Sequence, residues 1–149
     1  MASPAGATTQ PLIWQQTATV RILCTIAPPA GGDVRAVHND LEKELCATVG
    51  RLAADGAPVP VSAVPFGDPA ILQPGTVTLL VHASVESDGG ERLLALDIRP
   101  FRPGGDHEAI LFGAAPRAVR LPASGPGGDK LEAAVAAALA ETLPWRQGR

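Results

Sequence analysis

"TVTLLVHASVESDGGERLLALDIRPF" occupies residues 76–101, and the fold turns on how it is read. Two apolar runs rich in β-branched residues flank "DGGE" at 88–91. Asp-Gly is a strong short-range hairpin signal, because a two-residue type I′ turn needs positive φ at both central positions. With Asp88 and Gly89 at the centre, Val85 pairs with Arg92, Ala83 with Leu94, Val81 with Leu96 and Leu79 with Ile98. That face is almost wholly apolar. The other couples Thr78 with Arg99, Leu80 with Asp97, His82 with Ala95 and Ser84 with Leu93. Turn chemistry and period-two alternation choose one register, with one face for a core and one amphipathic face. Glu86 and Glu91 then meet across the hairpin end, a like-charge pair expected to splay into water.

Upstream, "TVRILCTIA" (19–27) is a nearly continuous apolar run, as in a strand buried on both faces at a sheet centre. "PPAGG" breaks it, and Asp33 is placed to cap a helix. Val34, Val37, Leu41, Leu45, Val49 and Leu52 form one stripe at three- and four-residue spacing. "ADGAP" (54–58) ends that helix. "VPVSAVPF" (59–66) reads as a short strand that Pro60 and Pro65 confine to an edge. Residues 67–75 form a loop. Strand, helix and strand in this order suggest a βαβ crossover.

Downstream, "RPGGDH" (102–107) reads as a longer hairpin loop and "EAILFGAA" (108–115) as a returning strand, with an extended continuation from Pro116. Asp129 before "KLEAAVAAALAETL" predicts an N-cap, and Glu132 completes a capping box. Leu131, Val135, Ala138, Leu139 and Thr142 make the inner stripe of this second helix. Pro144 ends it, and Trp145 folds back as a small plug.

The expected fold is a single α/β (α+β) domain: a mixed β-sheet of 4–5 strands with two helices on one face, in the order β-α-β-β-β-(β)-α. Residues 1–11 are a flexible leader, 12–145 the domain and 146–149 a tail. This order is loosely similar to the small α/β modules of periplasmic accessory proteins, such as the amino-terminal domain of TolB-like proteins, a likeness of topology that no motif carries.

Composition bounds the function. The chain has 149 residues, 46% of them hydrophobic but only 3% aromatic, with no Tyr. The core is therefore aliphatic, and base-stacking platforms are nearly missing. A net charge of −3 without a basic cluster disfavours nucleic acid and anionic membranes. No run reaches the ~20 apolar residues of a membrane helix. "MASPAGATTQ" lacks the charged and apolar regions of a signal peptide. The chain is then cytoplasmic, or periplasmic if it is a mature form whose leader was removed and Met1 added. Cys24 and Cys46 fit no zinc spacing; they read as two small buried residues or, alternatively, as one disulfide from first strand to first helix.

Three copies of Gly-Gly-Asp, at 31–33, 104–106 and 127–129, share no period. None has the Lys-Ser/Thr of a phosphate loop or the strict repeat of a calcium motif, and they read as turns and caps. His38 and Glu42 share a helical face but read as solvated. Asp106 and Glu108 converge without a third ligand. No cofactor or metal is expected. His82, near Asp97 and beside Ser84, allows a hydrolase reading in form, on a flat sheet without an oxyanion hole. Arg99, Arg102, Arg117 and Arg120 make the 99–120 segment locally basic. The reading is a non-catalytic protein-interaction or assembly module, with the bacterial cell envelope as its suggested setting, contacting a protein partner or itself through His82, Asp97, Arg99, Arg117 and Arg120. The alternatives are a cytosolic small-ligand-binding or regulatory domain, and the His82/Asp97/Ser84 hydrolase.

Overall fold

The computed structural model describes residues 12–27, 35–104 and 114–147, with the side chains of 35–38 and 88 outside that description. A 3₁₀ turn, Leu12–Trp14, precedes β1 (Thr19–Ala27), α1 (Arg35–Ala54) and β2 (Val61–Ala63). A second 3₁₀ turn, Pro69–Leu72, leads to β3 (Thr76–Asp88), β4 (Glu91–Phe101), β5 (Arg117–Pro122) and α2 (Gly128–Thr142), and a last turn spans Pro144–Arg146. The five strands form one mixed sheet in the order β2-β1-β3-β4-β5. β1 pairs in parallel with β2 and β3, whereas β3–β4 and β4–β5 are antiparallel. This is the expected mixed sheet with two helices. β2 lies at an edge, as its flanking prolines require. The expected strand at 108–115 and the cap at Asp33 fall mostly or wholly outside the described residues; the fifth strand is the extended segment after Pro116.

The buried apolar strand residues share one parity. Val20 and Ile22 of β1, Leu79, Val81 and Ala83 of β3, and Leu94, Leu96 and Ile98 of β4 join Leu41, Leu45 and Val49 of α1 and Leu131, Val135 and Leu139 of α2 in one aliphatic cluster. Both helices therefore cover the same sheet face. Each fully buried Leu, Ile or Val contributes about 1.5–3 kcal/mol before entropy is counted.

The hairpin register differs from expectation. Asp88 pairs with Glu91, so Gly89 and Gly90 are the central residues, with φ of 57° and 88°. Two positive φ values are what a type I′ turn needs, and two glycines supply them without a Cβ penalty, displacing Asp88 into the strand. The shift is two residues, so every side chain keeps its face while its partner changes: Val85 pairs with Leu94, Val81 with Ile98 and His82 with Asp97. Glu86 lies opposite Leu93, and the expected Glu86–Glu91 clash does not form.

The helix ends also differ. Asp129 is not the cap of α2; it lies inside the first turn, and Gly127 is the N-cap without a side-chain bond of its own. Glu44 of α1 does the capping, accepting the Gly127 N–H at 2.8 Å and the Gly128 N–H at 3.0 Å. Glu132, freed from the expected capping box, pairs with Arg51 at 2.8 Å. At the other end of α1, Gly56 takes the expected left-handed conformation, φ 73°. The last carbonyls of α1 receive donors from the C-terminal segment: Trp145 Nε1 on Ala53 O and Arg146 Nη1 on Leu52 O, both at 2.9 Å. Trp145 is half-buried and meets Trp14 edge to face, ring centroids 5.6 Å apart.

Cys24 and Cys46 form a disulfide joining β1 to α1, Cα atoms 5.7 Å apart, in place of two buried thiols. Cys24 shares the parity of Val20 and Ile22, which points it at α1, and Cys46 follows the buried Leu45. Glu42 is not simply solvated: it accepts the Ile26 N–H at 2.9 Å and makes a second tie between the same elements. Among the described residues no helix is long and apolar enough to cross a membrane.

Candidate functional site

With both helices on one face, the other face of the sheet carries its own surface, built in rows across the strands. Ala27, Ser84, Ala95 and Ala118 are successive neighbours across β1, β3, β4 and β5. They form a strip of small side chains, and Ala95 and Ala118 are exposed. The row on one side is Thr25, His82 and Asp97, with Leu23, Leu80 and Arg99 beyond it; the row on the other is Glu86, Leu93 and Arg120. Leu23, Leu80 and Leu93 are half-buried, and His82 and Arg99 exposed. The result is a shallow trough with an aliphatic flank and charges of both signs at its margins.

Four of the five residues singled out from sequence lie on this face. Asp97 Oδ2 binds Arg99 Nε at 2.7 Å, and Asp97 Oδ1 is buried without a hydrogen-bond partner among the described residues. Arg120 reaches Glu91 at 3.2 Å. Arg117 lies on the opposite, helical face and is held by Glu141 of α2. His82 is directly opposite Asp97, but among the described residues no hydrogen bond joins them; the carboxylate is engaged by Arg99 through Oδ2. Ser84 faces Ala95 one step along the strand. The three hydrolase candidates thus share a face without forming a relay. Among the described residues no group of three or more His, Cys, Asp or Glu side chains could hold a metal ion. The Asp106 and Glu108 pair and the His38 side chain lie outside the description.

Two further features were not anticipated. On the helical side, a cavity of about 480 Å³ is lined by Asp40, Leu41 and Glu44 of α1, Arg92 of β4, and Ser124, Gly125 and Pro126 after β5. Arg92 is only 3% exposed. It is fixed by two bonds of 2.6 Å, from Nε to Pro122 O and from Nη2 to Gly125 O, with no carboxylate paired to it among the described residues. Its signal in the sequence was a lone charge among the alternating apolar residues of β4. The second feature is Phe66, 86% exposed. It sits in a turn closed by the Asp68 N–H on Pro65 O at 3.2 Å, with Gly67 at φ 82°. Asp68 Oδ1 caps the next turn through the Ala70 N–H at 2.8 Å, so the aromatic ring projects from a fixed support. The sequence reading carried the strand on through Phe66 and began the loop at Gly67, whereas β2 ends at Ala63 and the turn already includes Phe66.

No protein-family model matches the chain, and no curated protein matches it in sequence. Among solved structures, the chain is similar to a single-substitution variant of the PelC dodecamer from Paraburkholderia phytofirmans, with a TM-score of 0.49 and 9% identity over 91% of this chain and 95% of that one. It is also similar to the PelC dodecamer of the same organism in another crystal form, with a TM-score of 0.43 and 12% identity over 90% of each chain.

Proposed function

We propose that this protein is a non-catalytic interaction and assembly module, that the face of the sheet away from the helices is its contact surface, and that it works in an oxidising compartment such as the bacterial cell envelope. The observation that carries the reading is the row Ala27, Ser84, Ala95 and Ala118. Small side chains let another backbone or sheet approach closely, and the flanking leucines supply apolar area to bury. His82, Asp97, Arg99 and Arg120 at the margins supply orientation and specificity more than affinity. The Cys24–Cys46 disulfide supports the compartment, since such bonds persist where thiols are not kept reduced.

Sedimentation velocity over a concentration series tests it. The expected result is reversible association of the purified chain, weakened by Ala95→Arg and by Ala118→Arg with thermal stability unchanged. Association indifferent to both substitutions removes this face from the interface.

A further inference from the structure

The open part of the sheet face is symmetrical about its strip of small residues. On one side lie Thr25, His82 and Asp97, then Leu23, Leu80 and Arg99; on the other lie Glu86, Leu93 and Arg120, then Glu91 and Pro122. Past these rows come the Gly89–Gly90 turn at one end and the row of Arg21, Thr78 and Phe101 at the other. That last row is closed: Thr78 shares the parity of Leu80 and His82, yet it is 0% exposed. The connection from β2 to β3 has to pass β1, and α1 holds the helical side. A right-handed crossing puts the connection on this side, where its 3₁₀ turn packs on β3. The strip is therefore the midline of what remains open.

Charges of opposite sign answer each other across that midline. Arg99 and Glu91 are equidistant from Ala95 along β4, and His82 and Glu86 from Ser84 along β3. Asp97 is answered by Arg120 on the neighbouring strand. Within the chain Arg99 holds Asp97 and Arg120 holds Glu91, and all four side chains are partly exposed.

We propose that a second copy of this chain occupies the face, sheet against sheet, across a two-fold axis that runs along the strip. A half-turn about that axis lays Ala95 on Ala95 and Ala118 on Ala118 of the second copy. It sets Arg99 against Glu91, His82 against Glu86, and Arg120 beside Asp97. The ion pairs of the two copies then join into rings of alternating charge at both margins, and no charge gives up its present partner. Like charges directly opposed would cost several kcal/mol, and this orientation has none among the residues named. The strands of the two sheets run antiparallel, within the roughly 30° alignment that stacked sheets keep. The same patch serves both copies, so the contact closes at the dimer. The proposal rests on the reading of this face as the contact surface and adds the occupant and its orientation.

Cys24 and Cys46 are paired, so an introduced thiol reports on its own position. The full chain is prepared as Ala118→Cys, as Glu91→Cys and as Arg99→Cys, and treated with a short thiol-to-thiol cross-linker. A covalent dimer is expected from Ala118→Cys alone. It is also expected from Glu91→Cys mixed with Arg99→Cys, and from neither of those two alone. In sedimentation velocity, Arg99→Glu is expected to weaken association by roughly tenfold or more, and Glu91→Arg in the same chain to recover most of that loss. Cross-linking of Glu91→Cys or Arg99→Cys by itself, or no recovery in the doubly reversed chain, overturns the two-fold arrangement; if Ala95→Arg still weakens association, the contact face stands. Association indifferent to Ala95→Arg and Ala118→Arg, or a chain monomeric at every concentration, overturns the face and the arrangement together.

Discussion

Glu44 caps a helix to which it does not belong: its carboxylate on α1 receives the N–H groups of Gly127 and Gly128 at the start of α2. A carboxylate there also opposes the positive end of the α2 dipole. Removing it leaves the amide of the buried Gly127 without a partner. Glu44→Ala is expected to cost about 2 kcal/mol of unfolding free energy, and Glu44→Gln, which keeps one acceptor, about half of that. Urea unfolding measures both. Equal effects of the two substitutions would show that the bonds contribute little.

The Cys24–Cys46 bond closes a loop with a sequence separation of 22. Chain-entropy arguments give about 3 kcal/mol for a loop of that size. The double substitution Cys24→Ala and Cys46→Ala should lower the melting temperature by roughly 10 °C. Added reductant should lower that of the parent chain similarly and leave the variant unchanged; a variant that still responds to reductant would point to a different effect.

Gly89 and Gly90 distinguish the two hairpin registers. Gly90→Val is expected to destabilise by about 1–2 kcal/mol, because a β-branched residue is forced to φ 88°. Gly89→Asn should be nearly neutral, since asparagine suits the first central position of this turn. If Asp88 and Gly89 were central, position 90 would be ordinary strand and valine there would be harmless. Denaturant midpoints separate the cases.

Trp145 closes the C-terminal end of α1 and packs on Trp14. Trp145→Phe keeps the ring and loses the Nε1 bond, and should cost about 1 kcal/mol; Trp145→Ala should cost about 3 kcal/mol. Near-ultraviolet circular dichroism is expected to lose the signal of the coupled indoles in both. An unchanged spectrum would mean that the rings are not in contact.

Much of this architecture was legible in the sequence because the signals are local. Period-two alternation fixed which residues of β3 and β4 face the helices, and it survived an error in the turn because the register moved by an even number of residues. Where two glycines follow an aspartate, the dipeptide rule points to two turns, and the free choice of positive φ favoured the pair without side chains. The misplaced α2 cap has another cause: Asp129 and Glu132 have the right spacing, but Glu44, 83 residues away from Gly127, takes the amides first. The disulfide likewise depends on which turn of α1 crosses Cys24, a matter of packing. In the candidate site, the shared face of His82, Asp97 and Arg99 followed from strand parity in the hairpin. Arg117 and Arg120 were grouped only by charge, and three residues apart on β5 they fall on opposite faces of the sheet. The strip of small residues needed the order of four strands, which no pattern within one segment contains.

The contact of Trp14 with Trp145 has a mechanical meaning. Residues near the two ends of the described chain meet beside Ala53, in the last turn of α1. The cavity is lined from the first half of that helix, Asp40 to Glu44, roughly 14–20 Å away along the axis at 1.5 Å per residue. Anything tethered through either end therefore pulls on one corner of the domain. Traction between the ends loads the paired indoles together with the bonds of Arg102 to Ile13 O and of Arg146 to Leu52 O, all gathered at that corner.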